Sequence, residues 1–184
     1  AIGTGTLTFN GGVLGITDTF TLGNAVVVND ATHGVSIDDG KILTLSGAIS
    51  GNYGLYKTGL GSLKLTGTSN TSATTVIVQG TATGTASNAG SSLAVNSGAT
   101  FIFDQSSGAG SYAGSLSGSG NVGVTGALTL GGTNSSFGGN LQIGSTGTLI
   151  LGTNANLGSS SAQVTLDGSS SGTSILQFNS LSDN

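Results

Sequence analysis

The 184-residue sequence contains no cysteine, proline, methionine or tryptophan. Without cysteine, no disulfide can hold the fold, so its stability must come from packing and backbone pairing. A collagen-like triple helix, which needs many prolines and glycine at every third position, is excluded. Arginine and glutamate are also missing: the cations are Lys41, Lys57 and Lys64, the anions are all aspartate, and the net charge is -4. Nucleic-acid binding calls for a basic stripe that displaces counterions from phosphates, and no such stripe can form here. No apolar run of about 18 residues is long enough to span a bilayer. The N-terminus lacks the basic and apolar regions of a signal peptide, so if the chain is exported it is expected to be mature or excised sequence. So few charges leave little repulsion between copies, which favours association with itself or with other surfaces.

Glycine, by contrast, is abundant, with 35 residues. Each glycine costs a helix about 0.8 to 1 kcal/mol relative to alanine, and the accompanying Ser, Thr and Asn are poor interior helix formers. Helix is therefore largely excluded. Mean hydropathy is +0.25 with 35% hydrophobic residues, enough apolar surface for a packed core and unlike a disordered segment. Short alternating segments recur along the chain, among them Leu7-Thr8-Phe9, Leu43-Thr44-Leu45, Leu63-Lys64-Leu65, Phe101-Ile102-Phe103, Leu128-Thr129-Leu130 and Leu149-Ile150-Leu151. Each places two apolar side chains on one face, the period of a half-buried strand. Clusters of Gly, Ser, Asn and Thr separate them, and the segments return at roughly 20-residue spacing, as expected of a solenoid with one coil per period.

An internal match supports repetition. Gly47-Ala48-Ile49-Ser50-Gly51 resembles Gly114-Ser115-Leu116-Ser117-Gly118, and Leu55, Thr58 and Gly59 correspond to Val122, Thr125 and Gly126. After a two-residue deletion, Leu63-Lys64-Leu65 aligns with Leu128-Thr129-Leu130, and Val76 and Val78 with Leu141 and Ile143. A deletion that keeps the apolar pairs in phase fits turns of variable length around a fixed inward register. An antiparallel sandwich is the competing fold, since Asn10-Gly11, Asp39-Gly40 and Asp167-Gly168 are hairpin-turn dipeptides. The periodicity favours an all-β parallel β-helix, a β-solenoid of about nine coils and roughly 40 to 45 Å long, without significant helix. Residues 1–184 form a single module on this basis. Strand edges at both ends would recruit further strands unless capped. Asn184 followed by Ala1-Ile2-Gly3 and Leu7-Thr8-Phe9-Asn10-Gly11 parallels Asn154-Ala155, Leu157-Gly158 and Val164-Thr165-Leu166-Asp167-Gly168. The module is accordingly expected to be one segment of a tandem array or head-to-tail filament.

The segment Ile49-Ser50-Gly51, with Gly54-Leu55-Tyr56-Lys57-Thr58-Gly59-Leu60-Gly61-Ser62-Leu63-Lys64-Leu65-Thr66-Gly67, resembles the passenger-associated β-helix repeats of bacterial autotransporters. Tyr112-Ala113-Gly114-Ser115-Leu116-Ser117-Gly118-Ser119-Gly120 and the turn Thr133-Asn134-Ser135-Ser136-Phe137-Gly138-Gly139 carry the same resemblance, which covers residues 42 to 151. It implies a right-handed helix exported across a Gram-negative outer membrane by a C-terminal barrel, and a place on the bacterial cell surface. Val124 stands opposite Lys57 in the second repeat, so that lysine is not expected to be a required site.

Candidate chemistry is sparse. The richest cluster is His33 with Asp30, Asp38, Asp39 and Lys41. Polysaccharide-cleaving β-helices, such as polygalacturonases, use clustered aspartates with a nearby histidine, and inversion needs carboxylates about 6.5 to 9.5 Å apart. On a strand, however, adjacent Asp38 and Asp39 would point to opposite faces, and no arginine is available to hold a substrate carboxylate. Gly118-Ser119-Gly120-Asn121-Val122-Gly123 spells a dinucleotide fingerprint without a following helix to present to a pyrophosphate. Gly168-Ser169-Ser170-Ser171-Gly172 spells a nucleophile elbow inside a Ser/Gly run. Ile42 after Gly40-Lys41 spoils a phosphate-binding loop, and a lone histidine excludes a His-pair zinc site. Tyr53, Tyr56 and Tyr112 are expected to stack with like residues on neighbouring coils. Asn70-Thr71-Ser72 and Asn134-Ser135-Ser136 fit glycosylation acceptors but suit polar turns equally well.

No catalytic, cofactor or metal site is therefore expected. The sequence points to a structural or adhesive, non-enzymatic surface rod that stacks on itself end to end and contacts host, neighbouring-cell or matrix surfaces. The alternative is a polysaccharide-binding or polysaccharide-cleaving β-helix using His33, Asp38 and Asp39.

Overall fold

A computed structural model describes residues 2–68, 73–152, 157–168 and 172–179. It is a parallel β-solenoid, with no helix among the described residues. One face stacks seven strands: β2 (Gly12–Ile16), β5 (His33–Ile37), β8 (Tyr56–Thr58), β10 (Thr74–Ile77), β12 (Ser92–Val95), β14 (Ser115–Gly118) and β16 (Ser136–Phe137). The second face carries β3 (Phe20–Leu22), β6 (Ile42–Leu45), β9 (Ser62–Leu65), β11 (Thr81–Gly84), β13 (Thr100–Tyr112), β15 (Asn121–Leu130), β17 (Asn140–Ile143) and β19 (Gln163–Leu166). A third face holds β1 (Leu7–Phe9), β4 (Val26–Val28) and β7 (Ile49–Gly51) at one end. At the other end it holds the far halves of β13 and β15, then β18 (Thr148–Leu151) and β20 (Ile175–Phe178). Gly126, at φ 73°, turns β15 from the second face to the third; a Cβ there would lie 2.3 Å from the Gln105 carbonyl oxygen.

The alternation read in the sequence sets which side chains enter the core. β6, β12 and β18 each alternate between part-exposed and buried residues. Because the strands pair in parallel and in register, apart from a shift in β13 between Gln105 and Gly110, like positions form columns along the rod. One inward column runs Phe20, Leu43, Leu63, Ala82, Phe101, Val122, Leu141 and Val164. Side-chain size is matched between rungs: Ala82 lies under Phe101 and Gly84 under Phe103. That space admits an aromatic cluster, with Phe101 and Phe103 centroids 4.9 Å apart and Phe103 and Tyr112 5.1 Å apart. Tyr112 is thus a core residue, whereas Tyr53 and Tyr56 are exposed. The three tyrosines do not form a stack of like residues.

The solenoid has about seven turns, fewer than the expected nine. Seven steps of the inward column already consume the chain from Phe20 to Val164, and the residues outside that span add only partial turns. Coil length also varies, from 18 residues between Thr74 and Ser92 to 27 between Thr148 and Ile175. A uniform division of the chain by 20 therefore overcounts.

The internal sequence match does not superpose one coil on another. Gly47–Gly51 includes the third-face strand β7, while its counterpart Gly114–Gly118 includes β14 on the first face. Leu55–Thr58 leads onto the first face and Val122–Thr125 lies on the second; Leu63–Leu65 lies on the second and Leu128–Leu130 on the third. Each segment has advanced by one face. On each face an inward apolar residue is followed by a corner glycine, as with Ile49 and Gly51, Leu116 and Gly118, and Leu65 and Gly67, so a strand-and-corner unit can be reused on any of them.

The third face is interrupted midway. Between β11 and β12, residues 85–91 turn around buried Asn88 and Ala89 and form no strand. Between β9 and β10, no strand is found among the described residues. Asn88 supplies what a paired strand would have supplied: its side chain accepts from Thr85 N at 2.6 Å and donates to the Leu65 carbonyl at 2.8 Å. Other corners are closed by glycine. A Cβ on Gly47 would fall 2.1 Å from the Asn24 carbonyl oxygen, and one on Gly67 would fall 2.0 Å from that of Gly47.

Candidate functional site

His33 begins β5 and points inward, buried against the Phe9 ring at a centroid distance of 5.5 Å. Its Nδ1 donates to the Asp30 backbone carbonyl, while Nε2 is buried without a partner among the described residues. The Asp30 carboxylate accepts from the hydroxyl and the backbone N–H of Thr32, which hold it below the usual carboxylate range. Asp38 and Asp39 follow the opposite end of the same strand as exposed turn residues, not as opposite faces of a strand. Four strand steps, about 13 Å, separate His33 from Ile37, the residue before Asp38. Lys41 turns away to Asp18, 3.4 Å distant. The Thr19 backbone N–H, and then Lys41, lower the Asp18 pKa. The cluster that looks richest in sequence is therefore spread along one strand and its two corners, and no substrate atom could touch His33 and both aspartates together.

Lys57 is the least expected side chain. On β8 it faces inward, in register with Val35 below and Ile77 above, and it is fully buried. Its Nζ donates to the carbonyls of Thr58 at 3.1 Å, Gly59 at 2.8 Å and Gln79 at 3.0 Å. Three N–H donors meet three corner oxygens of two successive coils, so the charge is fully hydrogen-bonded. Burial still pushes its pKa down to about 8. Its sequence counterpart Val124 lies on another face, so the pair says nothing about whether an amine is needed at residue 57. Leu55 was the overlooked signal: two residues earlier and buried, it fixes Lys57 on the inward side of the pleat.

The remaining motifs take structural places. Gly118–Gly123 links β14 to β15 and leads into a strand. Residues 169–171 of the nucleophile-elbow pattern and 70–72 of one glycosylation pattern lie outside the described residues, as do residues 1, 153–156 and 180–184 of the proposed junction. Asn134 of the other glycosylation pattern is buried in a corner, accepting from Leu116 N at 2.8 Å and donating to the Gly132 carbonyl at 3.2 Å.

The two ends of the stack differ from its middle. Phe20 is 40% exposed although Leu43 and Leu63 above it in the same column are fully buried. At the far end Leu166 is 52% exposed over fully buried Ile143, and Phe178 is 49% exposed over buried Leu151. The inward columns thus run out onto both end faces as apolar surface, beside the outer backbone edges of β3, β19 and β20. Comparison with protein-family models, with curated proteins and with solved structures finds no match to this chain.

Proposed function

We propose that this chain is a segment of a structural, adhesive rod on a bacterial cell surface, associating end to end with further coils of the same kind. The observation that carries this is the emergence of Phe20, Leu166 and Phe178 at the two ends of columns that are otherwise buried. Half-exposed side chains of this size gain about 1 kcal/mol each when covered, and the strand edges beside them gain hydrogen-bond partners. The low charge density leaves little to repel a second copy. The resemblance of residues 42 to 151 to autotransporter passenger repeats supports export to the surface of a Gram-negative cell, where side faces would meet host, neighbouring-cell or matrix surfaces. Separation of His33 from Asp38 and Asp39 favours a structural role over polysaccharide cleavage.

Sedimentation and electron microscopy across a concentration series test the proposal. Concentration-dependent rods whose length grows in steps are expected, and a Phe20→Lys, Phe178→Lys double variant should remain monomeric. Monodisperse particles at high concentration, or association unaffected by the double variant, would refute it.

A further inference from the structure

The interruption of the third face leaves a groove of about 560 Å³ on the side of the rod, within the size range of small-ligand sites. Its floor comes from successive coils, with Lys64 and Thr66 on one and Thr83 and Thr85 on the next. One wall is the turn holding Ser87, and the other is the start of the β13 bulge at Asp104 and Ser106. Both walls are fixed in place. Asn88 ties its turn to Leu65, as described above, and the Gln105 amide, oriented to donate to the Gly108 carbonyl at 3.2 Å and accept from Ala86 N at 2.5 Å, fastens the bulge to that turn. A preformed site loses little ordering entropy on binding.

The lining selects a ligand chemistry. The Thr66 hydroxyl donates to the Leu45 carbonyl at 3.4 Å and those of Thr85 and Ser87 bond each other at 2.9 Å, all keeping acceptor capacity toward the groove, where the Thr83 hydroxyl can both donate and accept. The Asp104 carboxylate is kept ionised by the Ser106 hydroxyl at 2.6 Å and its N–H at 3.1 Å, which lower its pKa. Lys64 is exposed at the floor and forms no salt bridge among the described residues. Such a surface combines threonine methyl and backbone carbon contact with polar groups that repeat in steps of about 4.8 Å along the rod, a mixture that suits the alternating C–H and hydroxyl surface of a sugar. Charge argues against a polyanion: the net charge is -4, Lys57 is buried and Lys41 is engaged with Asp18, so among the described residues Lys64 is the one lysine lining the groove, together with the Asp104 carboxylate.

We propose that this groove binds an uncharged oligosaccharide, lying along the stack with its hydroxyls on the threonine floor and against Asp104 and Lys64. The site is distinct from the end faces, so it stands or falls independently of end-to-end association. It is also distinct from the His33, Asp38 and Asp39 region.

The test is a titration of the isotope-labelled chain with cellohexaose, chitohexaose, laminarihexaose, maltohexaose and, separately, heparin, followed by amide chemical shifts. Saturable shifts confined to Lys64, Thr66, Thr85 and Ser106 are expected with at least one of the four neutral sugars. Ser87→Trp, which fills the groove from an exposed turn position, should abolish them. Asp104→Asn should weaken binding on the order of tenfold, and Asp38→Asn should leave it unchanged. Spectra of the free variants establish that each is folded. Absence of saturable shifts with all four neutral sugars at millimolar concentration overturns the proposal. So does binding that survives Ser87→Trp, maps elsewhere, or is confined to heparin.

Discussion

Lys57, buried without a counter-ion among the described residues, makes the stability of this rod rise with pH above neutrality. In the unfolded chain its ammonium holds a proton up to its ordinary 10.5, while in the folded chain burial releases that proton at about 8. Between those values the unfolded state binds more protons, so raising the pH favours the folded state. The full difference corresponds to about 3.4 kcal/mol, of which about 2.5 kcal/mol is recovered between pH 7 and pH 10. The three carbonyls oppose this, because an ammonium offers them three donors and an amine only two, so about 2.5 kcal/mol is a ceiling. Above pH 10 the trend reverses: burial raises the Tyr112 pKa above its ordinary 10.0, and its stabilisation is lost as the pH climbs from there. Denaturant unfolding at several pH values from 7 to 11 should show a rise and then a fall. Lys57→Met should remove the rise and keep the fall. The two sequences need not differ at pH 7, since relief from burying the charge is offset by orphaned carbonyls at about 1 kcal/mol or more each. Parallel curves for wild type and Lys57→Met between pH 7 and pH 10 would refute the assignment of this amine as buried and hard to protonate.

Gly67→Ala should destabilise the fold by about 1 to 3 kcal/mol, because its Cβ would have to displace the Gly47 carbonyl; thermal melting would read this. Ala82→Leu should cost a similar amount by crowding the space under Phe101, whereas Phe101→Ala should cost about 3 to 5 kcal/mol by emptying it. Restoration of stability in the Ala82→Leu, Phe101→Ala double variant, measured by denaturant midpoint, would establish that the two rungs share one packing site. Asn88→Ala should cost about 1 to 3 kcal/mol by leaving Thr85 N and the Leu65 carbonyl without a partner, and amide exchange at Thr85 should accelerate.

The core was legible in the sequence wherever polarity and pleat agree. Leu43, Leu45, Leu63 and Leu65 alternate with polar residues and all point inward. Legibility failed where they disagree. Lys57 and His33 occupy inward positions that alternation alone would have given to apolar residues, and chemistry argued for solvent instead. Asn88 and Asn134 look like ordinary turn residues, because a corner that closes on a side-chain amide has the same composition as one that does not. The groove was invisible for a related reason: it arises from a strand that does not form between Gly84 and Ser92, and a missing strand leaves no motif. His33, Asp38 and Asp39 drew notice because they are near in sequence, but an extended chain separates close residues faster than any other structure.

The internal match that advances by one face bears on how such a rod could lengthen. Copying that stretch does not reproduce a surface feature directly above its original. The copy returns a little over three coils further on and about a third of a revolution around the axis, so successive copies would trace a shallow spiral. A fibre enlarged in this way presents its features to every side in turn, and whatever contacts it need not approach from a preferred azimuth.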